Sequence, residues 1–269
     1  MVKNNKVLVV DLDGTLLNHR QEVSESNEKA IKKFLNMGGR VVLASGRPYR
    51  LIQSYIDILG LNKSDFVICR DGQYICNCLG NVIYSEELLT TEDCEYIIDL
   101  LEDKRIDLFT NQYDYLYAPT FLEYIKLKIF SLSNKRAIVI RKNSKNFFSK
   151  VEKVKIYTLD IANDILKKLE SKFSVYRIRG TSYEVNPYGV NKYKAIQYVM
   201  NRMNIDVSNI IYIGDDDNDI ECFKNIPCSI AMGNATDYIK DKAFFITKTN
   251  DDDGVAYALS VFLKGDLYG

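Results

Sequence analysis

Short apolar runs alternate with amphipathic stretches in the N-terminal part of the chain. The runs predict buried strands, which lie at Val7–Val10, Arg40–Ala44 and Phe66–Cys69. Between them, apolar side chains recur at helical spacing over residues 30–35 and 51–59, and glycine follows each stretch. This repeated order of strand and helix predicts an α/β fold built on a doubly wound, mostly parallel sheet.

The middle of the chain departs from this alternation. Residues 74–78 and 82–84 flank a Leu-Gly-Asn turn, which predicts a hairpin. A second α/β set follows, with helices expected from Thr90 and over 161–173, and strands expected over 106–110, 115–118, 154–158, 175–179 and 183–185. The first pattern returns at Lys192. We therefore predict a core formed by residues 1–83 and 187–269, with an α/β cap inserted at residues 84–186.

Acidic residues follow two of the predicted core strands. Asp11 and Asp13 come directly after the first strand, and Asp215 comes after the apolar run 210–213. Because alternate residues of a strand point to the same side, Asp11 and Asp13 should both face the crevice where open α/β sheets bind ligands. Buried charges are costly unless a metal or hydrogen bonds compensate them. If the two strands are neighbours, these acids could converge on one hard cation, and oxygen ligands point to Mg²⁺.

Four short motifs together resemble a known enzyme family. They are the sequence DLDGTL at 11–16, SGR at 45–47, Lys192, and GDDDND at 214–219. In this order and spacing they resemble the haloacid dehalogenase superfamily of phosphatases, and specifically its Cof-type branch. The resemblance covers essentially the whole chain. It implies a Rossmann-like core with an α/β cap inserted between the second and third motifs.

The resemblance also implies a role for each motif. Asp11 would attack phosphorus and form an aspartyl-phosphate, and Asp13 would protonate the leaving oxygen and later activate water. Mg²⁺ would be held by the carboxylates of Asp11 and Asp215 and by the backbone carbonyl of Asp13. Ser45 and Lys192 would donate hydrogen bonds and positive charge to the phosphoryl group.

Four further residues are expected around this centre. The resemblance implies that Gly46 and Arg47 contact substrate, and that Asn218 and Asp219 orient the phosphate, a water molecule or the lysine. Asp71 stands where Cof-type relatives usually have asparagine. We expect this difference to affect how the cap rests over the site and not the core chemistry.

The expected activity is Mg²⁺-dependent removal of phosphate from small phosphorylated metabolites, with sugar phosphates as first candidates. The cap would set specificity by closing over the leaving group. Two alternatives remain open: a sugar phosphomutase of the same superfamily, and a catalytically silent phosphosugar-binding sensor. An EF-hand fits poorly because its loop needs Gly and Glu where this chain has Ile220 and Ile226. A receiver domain fits poorly because it has no large cap.

Composition narrows the expected context. The chain is 46% hydrophobic and 27% charged, as in soluble globular proteins, and its zero formal net charge argues against broad electrostatic binding to nucleic acid. Apolar runs are too short to cross a bilayer and the first strand leaves no room for a signal peptide, so we expect a cytoplasmic protein without membrane association. One histidine and six cysteines without a CxxC pair disfavour zinc. We expect a monomer or homodimer.

Overall fold

The structure is a computed structural model that describes residues 6–141, 150–178 and 180–264. Its strands, numbered in chain order, are β1 Val7–Val10, β2 Arg40–Ala44, β3 Phe66–Cys69, β4 Tyr74–Asn77, β5 Val82–Ser85, β6 Arg105–Thr110, β7 Asp114–Tyr117, β8 Ala137–Ile140, β9 Val151–Tyr157, β10 Phe173–Ile178, β11 Ser182–Pro187, β12 Ile210–Gly214, β13 Cys228–Ala231 and β14 Phe245–Ile246. Its α-helices are α1 Glu25–Asn36, α2 Gln53–Leu59, α3 Thr91–Leu100, α4 Phe121–Ser133, α5 Asn163–Glu170, α6 Lys192–Met203, α7 Ile220–Asn225, α8 Asp237–Lys240 and α9 Gly254–Lys264.

The chain divides into two compact units. The first comprises the residues up to Ser85 and from Asn191 onward, and the second comprises Glu86–Val190. The limits predicted for an inserted cap, residues 84–186, lie within a few residues of the limits of the second unit. The role of this unit as a cap stays a prediction.

The first unit is built on one eight-stranded sheet with the order β14-β13-β12-β1-β2-β3-β4-β5. Strands β14 to β3 are parallel, and β4 and β5 add an antiparallel edge. The central strand β1 pairs with β12 on one side and β2 on the other, so the carboxyl ends of these three strands lie side by side. This architecture confirms the predicted α/β class with a mostly parallel sheet.

The sequence of β1 explains its central position. All four of its residues are apolar and buried, as expected of a parallel strand that is covered on both faces. Leu8 and Val10 belong to one apolar cluster, and Val7 and Val9 belong to another, so the two faces of the sheet pack against separate sets of side chains. Because β1 has no polar side chain, it can lie buried at the centre of the sheet. The next residue, Asp11, therefore lies at the carboxyl end of a central strand.

The second unit contains a six-stranded sheet with the order β10-β11-β9-β6-β7-β8. Its pairs are antiparallel except for β7 with β8. An apolar cluster on one face includes Ile97 of α3, Leu169 of α5 and Ile106 of β6. On the opposite face α4 packs through Leu127 against Leu116, at the end of the sheet formed by β7 and β8. That second face also carries polar residues, among them Asp107, Lys153 and Glu184.

One predicted helix is shorter than expected. The helical pattern over 161–173 was extended through Phe173, but α5 ends at Glu170 and Phe173 is the first residue of β10. Phe173 is buried and its ring lies 6.3 Å from that of Tyr96, so its apolar character serves the sheet and not the helix. The predicted strand 175–179 corresponds to part of β10, and its last residue lies outside the described residues.

Two elements of the second unit, α4 and β8, were not predicted from the sequence. Helix α4 has apolar residues on more than one face, because Leu127 is buried while Ile129 and Leu132 are exposed. This pattern lacks the single apolar stripe that marks an amphipathic helix. Among the described residues, no helix combines the length and the apolar character needed to cross a membrane.

Candidate active site

Three carboxylates meet where neighbouring strands of the first sheet end. Asp11 follows β1 and Asp215 follows β12, and the pairing of these strands continues as the Asp11 N–H donates to the Ile213 carbonyl at 3.0 Å. Asp219 lies in the turn before α7. One carboxylate oxygen from each of Asp11, Asp215 and Asp219 lies within 4.8 Å of the others, and all three residues are buried. The fold thus joins positions that are about 200 residues apart in sequence.

Lys192 is buried in the same cluster. It is the first residue of α6, and its side chain has no exposed surface. Its Nζ donates to Asp11 Oδ1 at 2.7 Å and to Asp219 Oδ1 at 2.6 Å. The Asn191 side chain caps α6 by accepting from the Lys194 N–H at 2.8 Å, which fixes where the helix begins. The lysine therefore bridges Asp11, which follows β1, and Asp219, which lies in the turn before α7.

Burial and charge act against each other on these groups. Burial raises the pKa of the Asp11 carboxyl well above its usual range, and the ammonium of Lys192 offsets this only in part. For Lys192, burial favours the neutral amine, but the carboxylates of Asp11 and Asp219 hold its pKa well above the ordinary value. The lysine is therefore a permanent cation in this site, whereas the ionised form of Asp11 is left under-compensated by the protein alone.

Asp219 is fully engaged in protein hydrogen bonds. Its Oδ1 accepts from Lys192 and from the Tyr212 hydroxyl (2.6 Å), and its Oδ2 accepts from the N–H groups of Asp215 (2.8 Å) and Asp216 (3.1 Å). A Cβ added at Gly214 would lie 2.4 Å from this Oδ2, so glycine is required for the carboxylate to come this close. These bonds make Asp219 an anchor for Lys192 and for the loop that carries Asp215.

The loop after β1 also holds Asp215. Thr15 is buried, and its hydroxyl donates to Asp215 Oδ1 at 2.7 Å. Gly14 has a φ of 80°, in the left-handed region, and its carbonyl accepts from the Asn234 side chain at 2.8 Å. Sequence reasoning assigned no role to Thr15 or Asn234. Thr15 lies within the DLDGTL motif, whereas no sequence signal marked Asn234.

Arg47 binds Asp13 through two hydrogen bonds. Its Nε donates to Asp13 Oδ2 at 2.7 Å and its Nη2 donates to Asp13 Oδ1 at 2.6 Å. The guanidinium also donates to the side-chain oxygen of Gln21 and to the Tyr55 hydroxyl (3.2 Å). The bond to Asp13 is the main reason that the pKa of Arg47 is raised. Arg47 was predicted to contact substrate, and that role stays a prediction.

Ser45 lies after β2, and Asn218 lies in the loop after β12 that also carries Asp215 and Asp219. Ser45 is buried after β2 and its Oγ accepts from the Arg47 N–H at 3.1 Å, with Gly46 half-buried between them. The Asn218 side-chain nitrogen donates to Asp71 Oδ1 at 2.8 Å. Asp71 is buried and its charge helps to raise the pKa of Lys192. The hydrogen bond with Asn218 places Asp71 beside a residue that was predicted to orient the phosphate, and the expectation that Asp71 affects only the cap stays a prediction.

The donor set fits a hard divalent cation. With all three carboxylates ionised and Lys192 protonated, the cluster would carry a formal excess of two negative charges, which a divalent cation would neutralise. Asp11 and Asp215 offer oxygen ligands only, which suit Mg²⁺, Mn²⁺ or Ca²⁺ better than a thiophilic metal. Asp219 is a poorer ligand, because protein donors already occupy both of its oxygens.

Comparison with known proteins agrees with this arrangement. A family model described as haloacid dehalogenase-like hydrolase matches residues 8–259. The 5-amino-6-(5-phospho-D-ribitylamino)uracil phosphatase YcsE of Bacillus subtilis (strain 168) is 29% identical over 94% of this chain and 94% of its own. The putative phosphatase YxeH of the same organism is 27% identical over 94% and 97%.

Solved structures that resemble this chain belong to the same superfamily. A phosphatase of the haloalkanoate superfamily from Bacteroides thetaiotaomicron superposes with a TM-score of 0.79 and 26% identity, over 96% of this chain and 94% of that one. A haloacid dehalogenase-like hydrolase from the same organism gives a TM-score of 0.72 and 27% identity, over 96% and 99%. These matches confirm the predicted superfamily and the predicted enzyme class. The chain belongs to the haloacid dehalogenase-like hydrolase family, and it is a phosphatase of that family.

Proposed function

We propose that this phosphatase hydrolyses small phosphate monoesters with Mg²⁺ as its metal and Asp11 as its nucleophile. The observation that supports this most strongly is the buried cluster in which carboxylate oxygens of Asp11, Asp215 and Asp219 lie within 4.8 Å of one another, with Lys192 paired to Asp11 and Asp219. Asp11, Asp215 and the backbone carbonyl of Asp13 would hold the ion. A bound Mg²⁺ would offset the repulsion between the nucleophile and the phosphate dianion.

In the first step, a carboxylate oxygen of Asp11 forms a bond to phosphorus while the bond from phosphorus to the leaving alkoxide breaks. Asp13 donates a proton to that alkoxide. In the second step, Asp13 takes a proton from water, the water oxygen attacks the aspartyl-phosphate, and inorganic phosphate leaves with Asp11 restored. Lys192, held by Asp11 and Asp219, supplies a fixed positive charge throughout.

The hydrogen bonds of Arg47 affect the proton transfer from Asp13 to the leaving alkoxide. Both carboxylate oxygens of Asp13 accept hydrogen bonds from the Arg47 guanidinium. Asp13 must carry a proton in order to donate it, so we propose that at least one of the two bonds from Arg47 breaks when substrate binds. Arg47 would then be available to a substrate oxygen, in line with the predicted substrate contact. Ser45, Gly46 and Asn218 would contribute further contacts to the phosphoryl group.

The proposed substrate class is based on the names of two relatives. Two B. subtilis relatives, YcsE and YwtE, are named as phosphatases of 5-amino-6-(5-phospho-D-ribitylamino)uracil, in which the phosphate sits on a sugar-alcohol chain. YwtE is 28% identical to this chain over 97% of its length. We propose phosphate esters of sugars and sugar alcohols as substrates, including those in which a ring is attached to the polyol. The second unit would select the organic group.

The decisive test compares the wild type with Asp11→Asn after chelation and addition of Mg²⁺. Wild type should release phosphate from p-nitrophenyl phosphate only with the metal, and Asp11→Asn should lose about 10³-fold or more in kcat because the nucleophile is gone. Asp57→Asn, at an exposed acid of the same unit, is the matched control and should keep full activity. Undiminished turnover in Asp11→Asn would refute the nucleophile assignment. With a sugar phosphate as the substrate, formation of an isomeric sugar phosphate without free phosphate would instead indicate a phosphomutase.

A further inference from the structure

Helix α4 has apolar side chains on two opposite faces. Leu127 is buried in a cluster with Leu116 and Val139, which anchors the helix to the sheet of the second unit. Because successive residues of an α-helix are rotated by about 100°, the side chains that point away from Leu127 belong to the residues two and five positions before and after it. All four are large and aliphatic, and we call them the outer stripe: Leu122, Ile125, Ile129 and Leu132.

The outer stripe is exposed although it is apolar. Its members keep between 41% and 85% of their accessible surface. Two further residues of the helix, Phe121 and Phe130, are at least half exposed, so α4 presents on the order of 600 Å² of apolar surface to solvent. This area matches the largest apolar patches found on typical monomeric proteins, and patches of that size mark interaction sites.

The spacing of the outer stripe indicates which kind of partner fits. Its members follow one another at intervals of three, four and three residues, which is the spacing of side chains that interlock between two paired helices. A helix that lies on a lipid surface instead carries charged residues on the face opposite its apolar one. In α4 that opposite face holds Leu127, which packs within the unit. A second helix is therefore the better match.

The outer stripe is also symmetric about its midpoint. Leu122 and Leu132 lie five residues before and after Leu127, and Ile125 and Ile129 lie two residues before and after it. Reversing the helix therefore reproduces the same order of positions, as an isologous contact across a two-fold axis requires. In an antiparallel pair of α4 helices, Leu122 would meet Leu132 of the other copy, and Ile125 would meet Ile129. The partner that this helix fits best is a second copy of the chain.

The exposed area and the flanking charges are compatible with such a pair. A standard interface buries about 800 Å² per partner, and somewhat more than half of it is apolar, a share that α4 can supply. Lys126 Nζ lies 3.7 Å from Glu123 Oε2, and Lys128 Nζ lies 5.6 Å from the centre of the Tyr124 ring. Both contacts draw the ammonium groups away from the outer stripe. We propose that the outer stripe is the contact surface of a homodimer in which two α4 helices pack antiparallel.

The mass of the protein in solution tests the contact. In sedimentation velocity, wild type should shift toward twice the chain mass of 30.9 kDa as its concentration rises from about 1 to about 200 µM. Ile129→Lys should weaken the association by about 100-fold or more, because it places a charge in the centre of the contact. Since Ile129 is exposed in the single chain, the variant should still fold. The matched control Ile58→Lys, at an exposed isoleucine of α2, should associate as wild type does.

Two results of this experiment would overturn the inference. One is a wild-type protein that stays monomeric at the highest concentration. The other is an Ile129→Lys protein that associates as strongly as wild type. Circular dichroism and thermal unfolding of both variants show whether they are folded, so that a loss of association can be assigned to the contact.

Cysteine cross-linking tests the antiparallel arrangement. The six native cysteines are buried, so a new thiol on the outer stripe is the accessible one. A mixture of Leu122→Cys and Leu132→Cys proteins should form a disulfide-linked dimer under mild oxidation at least about 10-fold faster than either protein alone, because a disulfide needs its two residues to lie close together. Efficient cross-linking of each variant alone, with no gain in the mixture, overturns the antiparallel contact.

Salt separates a second copy from an anionic partner. In the antiparallel pair, Lys126 and Lys128 each approach the same residue of the other copy, so screening should strengthen the association, by about 3-fold between about 0.05 and 0.5 M NaCl. Binding to vesicles of phosphatidylglycerol and phosphatidylcholine in equal parts would instead weaken with salt. A protein that stays monomeric and sediments with these vesicles overturns the inference.

Discussion

Gly214 leaves no room for a side chain beside Asp219. An added Cβ would lie 2.4 Å from the Asp219 carboxylate and 3.0 Å from the ring of Tyr212, and both partners are buried and hydrogen-bonded to each other. Neither group can move without breaking bonds that also hold Lys192 and the backbone of Asp215. The glycine is therefore required by packing and not by an unusual backbone angle.

The first prediction concerns this contact. Gly214→Ala should lower the free energy of unfolding by about 1–3 kcal/mol, as overpacking in a buried site does. It should also lower kcat, because displacement of Asp219 loosens Lys192. Urea unfolding and p-nitrophenyl phosphate turnover measure the two effects. A variant with wild-type stability and rate would show that the loop relaxes freely around the added methyl group.

Asp11 carries a buried charge that the protein does not fully compensate. Its pKa is raised chiefly by burial, with further contributions from the charges of Asp219 and Asp215. A raised pKa means that the folded protein binds this proton more tightly than the unfolded chain does. Through this group, stability without metal is therefore lowest above the folded pKa and rises as the pH falls toward the ordinary carboxyl value.

The second prediction follows from that sign. Without metal at pH 7, Asp11→Asn should be more stable than wild type, and the difference should shrink as the pH falls toward about 4. Saturating Mg²⁺ should stabilise wild type by about 2.7 kcal/mol at a concentration 100 times its Kd, and should stabilise the variant far less. Thermal unfolding across this pH range checks both. An Asp11→Asn protein that is less stable than wild type in chelator would contradict the prediction.

At the scale of single residues, the sequence predicted the acidic residues better than the side chains that hydrogen-bond to them. Asp11, Asp215 and Lys192 were marked by motif and position, and the fold brings them together. The sequence did not indicate a role for Tyr212 in the site, because an aromatic residue in an apolar strand is interpreted as a core residue. The bond from Arg47 to Asp13 was also missed, since a pairing between two loops depends on the side-chain geometry of both.

Helix α6 is the element that presents Lys192. Its first turn is capped by Asn191, whose side chain accepts from the Lys194 N–H, and its last turn ends at Asn204 in the left-handed conformation. Helix α1 begins in the same manner, with Ser24 accepting from the Asn27 N–H at 3.1 Å. The two caps share this bond, although the Ser24 hydroxyl also donates to Asp253 Oδ1 at 2.5 Å, and Asn191 lies next to a residue of the buried cluster.

The third prediction compares these caps. Asn191→Ala and Ser24→Ala should each cost about 1 kcal/mol of stability, the usual value for a lost N-cap. Only Asn191→Ala should also lower kcat, because fraying of the first turn of α6 displaces Lys192 from Asp11. Chemical denaturation and steady-state kinetics on both variants separate the effects. Equal changes in kcat would show that the cap acts through global stability alone.

The elements of residues 7–69 in the first unit could be predicted because each has one clear periodicity, whereas the short helices α7 and α8 were not predicted. The buried strands β1, β2 and β3 are short apolar runs, and glycines follow the crossover helices between them. In the second unit, α4 spreads apolar residues around its surface and α5 runs into the apolar start of β10, so local pattern alone gave no boundary. Tertiary packing determines the boundaries of α4, α5 and β10.

At the scale of the whole molecule, the described residues of the candidate site all lie in the first unit. Metal binding should therefore protect one unit selectively. The fourth prediction is that Mg²⁺ slows amide hydrogen exchange around residues 11–15 and 214–219, and leaves α3 to β11 unchanged. Hydrogen exchange with mass spectrometry gives this peptide by peptide. Uniform protection of both units would contradict it.

The neighbour of β1 on one side comes from the far end of the chain. β2 is made soon after β1, but β12 emerges from the ribosome only after the entire second unit has been synthesised. During that interval the hydrogen-bonding edge of an apolar strand has no native partner, and such edges invite wrong pairings. The site can therefore form only after β12 has been synthesised, so a nascent chain stalled before β12 would lack Asp215 and would leave this strand edge unpaired.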